Sequence, residues 1–117
     1  MSDFQPELVA LLGPLCHQRC YPNHAPDPSQ APYVIYSRIS ARPQTVLDPA
    51  THSALINTHC QLDVYANSYT AAITLSEQIK TRLTTWSLQN SLSFEQDFYE
   101  PEQALHRVML EISVWHG

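Results

Sequence analysis

The chain has 117 residues, 44% of them hydrophobic, which is enough for one core and too few for two, so a single domain over residues 1–117 is expected. Six Lys and Arg against eleven Asp and Glu give a net charge of −5, and no basic patch able to neutralise several phosphates is left for sequence-independent duplex binding. No apolar run approaches the roughly 18 residues of a membrane span, and with Gly13 and Gly117 as the only glycines neither a P-loop nor a dinucleotide-binding turn can be built.

The first residues, with Asp3 and Glu7 and no basic stretch, do not read as an export signal, so synthesis in the cytosol and reduced Cys16, Cys20 and Cys60 are expected. Phe4, Leu8, Leu11, Leu12 and Leu15 suit a short first helix that tolerates Pro6 in its opening turn and stops near Leu12 to Leu15, where Gly13-Pro14 intervenes. Prolines then crowd the chain, at 14, 22, 26, 28, 32, 43 and 49, and each biases its predecessor toward extended geometry. Residues 16–30 are therefore expected to be an extended lead, followed by a first strand over Tyr33 to Ala41, rich in Tyr, Val and Ile. Tyr33, Ile35 and Ile39 compete with Val34 and Tyr36 for the inside, so this strand is apolar on both sides. A sheet that is apolar on both faces calls for a second partner, most simply another copy.

Arg42 to Ala54 reads as a long, polar, proline-bearing connection, and a second strand runs from Leu55 to Ala66 with Ile56, Cys60, Leu62 and Val64 on one face. The period then switches from two to 3.6. Asn67 or Ser68 can cap a helix whose stripe is Tyr69, Ala72, Leu75, Ile79, Leu83 and Trp86, and Glu77 can reach Lys80 one turn on. Ser91 to Tyr99 and Leu105 to Trp115 read as a last strand pair around Glu100-Pro101-Glu102, with Val108, Leu110, Ile112 and Val114 alternating against polar neighbours. The expected fold is α+β in the order α-β-β-α-β-β, a mostly antiparallel four-stranded sheet with helices packed on one face.

Leu62-Asp63-Val64-Tyr65-Ala66-Asn67-Ser68-Tyr69 leads into that long amphipathic helix, and upstream stand Arg19-Cys20-Tyr21-Pro22, Ala25-Pro26 and the strand Ala31 to Ser40. Together these resemble the small tail-completion proteins of long-tailed bacteriophages and prophages, also described as tail terminators or tail-to-head joining proteins. The likeness covers most of Leu8 to Leu83, and the segment after it matches as a pair of strands. It implies a structural protein without catalysis or cofactor. Such a protein forms a homo-oligomeric ring, usually hexameric, at the head-proximal end of the tail and binds the major tail tube subunit and the head connector protein, while DNA passes through without specific binding. A head-tail connector adaptor is the neighbouring alternative.

Candidate chemistry is sparse. Cys16, His17, Cys20 and His24 are zinc-type ligands, but they are bunched beside Pro22 and Pro26 with no distant second pair, so no metal site is expected. His59 and Cys60 are strand neighbours that point to opposite faces and cannot form a dyad. Glu95, Asp97, Glu100 and Glu102 gather with no base nearby and read as a solvated acidic rim. A small metal-dependent enzyme using either cluster is the alternative from another class. The residues expected to touch partners are Arg38 and Arg42, which could hold a carboxylate or phosphate, and Asp48 and His52 in the long connection.

Overall fold

The computed structural model describes the backbone of residues 4–26, 30–47 and 54–116, and the side chains of those residues except 42–47 and 54–55. Helix α1 spans Gln5–Leu12 and runs into a 3-10 turn over Gly13–Cys16; β1 is Cys20–Pro22, β2 Tyr33–Leu47, β3 Ala54–Ala66, α2 Tyr69–Thr84, β4 Asn90–Glu100 and β5 Leu105–His116. The sheet order is β1-β2-β3-β5-β4, antiparallel throughout except where β1 pairs parallel with β2.

The α+β class and the helix placement agree with the sequence reading, but the sheet has five strands rather than four. The added strand, β1, lies within the stretch expected to be an extended lead. Three residues are too short to show a period, and β1 exists only because Cys20, Tyr21 and Pro22 align with Val34, Ile35 and Tyr36. A second difference is larger. The expected loop from Arg42 to Ala54 is strand on both sides, β2 continuing to Leu47 and β3 beginning at Ala54. Fifteen residues at about 3.3 Å each reach roughly 50 Å, close to the 48 Å long axis of a molecule only 23 and 22 Å across.

One face of the sheet makes the core. Val34 and Tyr36 of β2, Cys60, Leu62 and Val64 of β3, and Val108, Leu110, Ile112 and Val114 of β5 are buried under Ala72, Leu75, Ile79 and Leu83 of α2 and Leu8 and Leu12 of α1. Ser68 caps α2, its hydroxyl accepting from Ala71 N at 3.1 Å. Tyr69, expected on the buried stripe, is exposed instead. As the first residue of the helix it stands beyond the core, edge-on to His106 and donating to the Asp97 carboxylate at 3.2 Å. Arg82 donates to Leu11 O at 3.2 Å, satisfying a free carbonyl at the end of α1. Lys80 sits between Glu77 at 2.7 Å and Glu95 at 3.0 Å and so ties α2 to β4. Phe4 fills the end of the core against Trp86 and His116.

Candidate assembly surfaces

Among the described residues, no helix covers the second face of the sheet. Strand register arranges its side chains in rows. The first row runs Tyr33, Tyr65, Arg107 and Phe98 across four strands. Tyr33 and Tyr65 stack with ring centres 4.7 Å apart, and the Arg107 guanidinium carbon stands 4.1 Å over the Phe98 ring. Arg107 also donates from Nη1 to Asp63 Oδ1 and from Nε to Glu100 Oε1, both at 2.8 Å, and Gln61 donates to the other Asp63 oxygen at 2.8 Å. Burial works against the Arg107 charge, but the bonds from Asp63 and Glu100 outweigh it and raise its pKa. Burial, followed by the Asp63 charge, pushes the Tyr65 hydroxyl up to about 12. Tyr33 is thus covered by its ring partners rather than by a second layer, which is how β2 can be apolar on both sides.

Further along the same face lies a serine, histidine and glutamate. Ser113 Oγ is 3.3 Å from His59 Nε2, and His59 Nδ1 is 3.8 Å from Glu111 Oε1. By residue type this is a nucleophile, a base and an orienting acid, a grouping the sequence does not suggest because it spans β3 and β5. The geometry does not serve hydrolysis. His59 Nε2 also lies 3.1 Å from the Asn57 amide oxygen, which only accepts, so the nitrogen that should take the serine proton is occupied as a donor. Ser113 sits opposite His59 on one side and Ser91 on the other, so its backbone is held in a two-sided ladder with no pair of free N–H groups aimed at an oxyanion.

The other candidates are dispersed. Cys16 and Cys20 are buried while His17 and His24 are exposed, and among the described residues no three His, Cys, Asp or Glu side chains are arranged to hold a metal ion. Burial raises the thiols, Cys20 to about 12 and Cys60 to about 11. The acidic segment is not free of basic neighbours as expected: Lys80 reaches Glu95 and Arg107 reaches Glu100, both from distant elements.

Arg38 is exposed on β2 opposite Cys60, whereas Arg42 stands opposite Asn57. A bulge at Ile39 shifts the register between them. The backbone positions of the two arginines therefore fall on opposite faces of the sheet, and the register does not bring them together as a clamp. The side chain of Arg42, and Asp48 and His52 altogether, lie outside the described residues.

The remaining feature is the ribbon. β5 pairs with β3 as far as Ile56, and beyond that row β2 and β3 pair, among the described residues, only with each other. Two sheet edges are also open. Among the described residues, β1 covers β2 only as far as Tyr36, and β4 has β5 on one side and no strand on the other. Ile39, Leu92, Phe94 and Tyr99 stand exposed along those edges.

The fold has a counterpart among solved structures. A chain of the virion of a native gene transfer agent (GTA) particle shares the fold, with a TM-score of 0.59 at 15% identity, over 92% of this chain and 82% of that chain. Among curated proteins no significant match is found. Residues 4–117 match the family described as tail completion protein gp17, and the chain accordingly belongs to that family of bacteriophage tail structural proteins.

Proposed function

We propose that the protein assembles as a ring, six-membered as in related terminators, on the head-proximal end of the tail tube, where it stops tube growth and offers the docking surface for the head connector. The observation that carries this reading is the free ribbon. A two-stranded hairpin is marginal in water by itself, and here β2 and β3 extend past the last row shared with β5. A segment built that way is stabilised when it lies on something else, and in a tail protein the available surfaces are a neighbouring subunit, the tube and the connector. The open sheet face, with its aromatic row, supplies a second broad contact surface. The charge of −5 per copy fits a ring that passes DNA without gripping it.

Complementation of a phage lacking its own completion protein tests the reading. The intact gene should restore infectious particles, and deletion of residues 45–51 should leave a folded protein whose lysates contain separate filled heads and unjoined tails. Normal titre from the deleted form would place the joining surface elsewhere. Fractionation separates the two members of the class: a terminator travels with headless tails, a connector adaptor with tailless heads.

A further inference from the structure

The two open edges of the sheet carry matching features at the same level. On β2 the first of two irregularities falls between Arg38 and Ser40, leaving Ile39 without a register partner, the second lying between Pro43 and Leu47; on β4 one falls between Leu92 and Phe94, leaving Ser93 without a register partner. Arg38 is opposite Cys60, Cys60 opposite Ile112, and Ile112 opposite Leu92, so both bulges sit at the same row, one on each side of the molecule. Each bulge presents apolar surface: Ile39 is 50% exposed on one edge, Leu92 45% and Phe94 47% on the other. Beside Leu92 an open hollow of about 500 Å³ is lined by Leu83, Trp86 and Leu88.

The charges are opposite. Tyr33–Leu47 holds Arg38 and Arg42 and no acid, while Asn90–Glu100 holds Glu95, Asp97 and Glu100 and no base of its own. Lys80 on α2 already shares Glu95 and Arg107 on β5 shares Glu100, so Arg38 of another copy would join Glu95 beside Lys80. Glu95 stands opposite Leu110, which stands opposite Leu62 and then Tyr36, so it is the acid closest in level to Arg38. Strand direction is compatible as well, because β2 and β4 are antiparallel across the sheet and would meet antiparallel if it continued into a second copy.

We infer that copies of this chain join head to tail through these edges, Arg38 and Ile39 of one copy packing against Leu92, Phe94 and Glu95 of the next. The inference rests on the ring reading and names its seam. Contacts between unlike surfaces generate closed rings when the rotation closes, and a cyclic ring adds no translation along its axis, which requires the two contact surfaces to lie at one level when the strands run along that axis. The seam is one of side chains rather than a continuous ladder. Val34 N turns away from β3 to donate to Arg19 O, and counting along β3 places Pro43 in the same phase, where its ring removes the N–H that an added strand would need.

Oxidative cross-linking of the full-length protein, alone and mixed with tail tubes, tests this. Ile39→Cys with Phe94→Cys in one chain should give a ladder of covalent multimers ending in a closed species, whereas each single variant should stop at dimers. Arg38→Glu should lower multimer yield at least tenfold, and Arg38→Glu combined with Glu95→Arg should recover most of it, because the two positions meet between copies. Thermal melts confirm that each variant is folded. If the wild type forms rings but the double-cysteine protein cross-links no further than the single variants, or Arg38→Glu assembles normally, the seam is elsewhere and the ring reading survives. A wild type that stays monomeric with and without tubes removes both.

Discussion

Arg107 on β5 and Asp63 on β3 are bonded at 2.8 Å across neighbouring positions, on a sheet face that no second layer of described residues covers, and the pair is nevertheless mostly shielded, with 18% and 9% of their side chains exposed. Tyr65, Phe98, Glu100 and Gln61 provide that shielding and the remaining partners. Arg107→Leu should therefore cost about 3 to 5 kcal/mol, because it leaves the Asp63 carboxylate nearly buried and uncompensated. Adding Asp63→Asn should recover part of that loss. Urea denaturation of the two single variants and the double variant measures the coupling, and additive losses would show that the two side chains act independently.

The α2 stripe is a filled core. Ile79 is fully buried and Leu75 and Leu83 nearly so, so Ile79→Ala is expected to destabilise by about 2 to 5 kcal/mol. Thermal melting decides this, and a variant that melts like the wild type would mean that the helix does not rest on the sheet through that residue.

The Ser68 hydroxyl is the only side-chain cap seen at a helix start among the described residues. Ser68→Ala should cost about 1 kcal/mol and Ser68→Asp much less, since both oxygen-bearing side chains can accept from the first turn. Hydrogen exchange at Ala71 N reports it directly, with faster exchange in the alanine variant only.

Burial raises the thiols of Cys20 and Cys60 from an ordinary 9.0 to about 12 and about 11. The folded state therefore keeps them neutral while the unfolded chain ionises. Their contribution to stability is complete below pH 9, and it falls as pH rises through the folded values. Unfolding free energy should decline above pH 9, less steeply in Cys60→Ala measured against its own neutral-pH value. The same burial predicts slow alkylation of the native protein at pH 8 and fast alkylation in denaturant. Equal rates in the two states would contradict the buried placement.

Local pattern determined a good deal about this protein. The alternation of Leu62 and Val64, and of Val108 through Val114, marks which side chains enter the core, because a strand has a period of two and one face must leave water. The stripe from Ala72 to Leu83 and the Ser68 cap define α2 for the equivalent helical reason. The order of elements, apart from the three-residue β1, and the tail-completion likeness were legible from the same short-range signals. Register was not. Which residues stand opposite one another depends on long-range pairing, and a shift of one position turns a whole strand over. The row of Tyr33, Tyr65, Arg107 and Phe98, the level bulges at Ile39 and Ser93, and the separation of Arg38 from Arg42 are all products of register. The same holds for Arg42 to Leu47: Pro43 and its polar neighbours resemble a loop, and the segment becomes strand because β3 offers a ladder alongside it. Tertiary structure alone also brought Lys80 and Arg107 to the acidic β4, since ion pairs between elements leave no trace in sequence spacing.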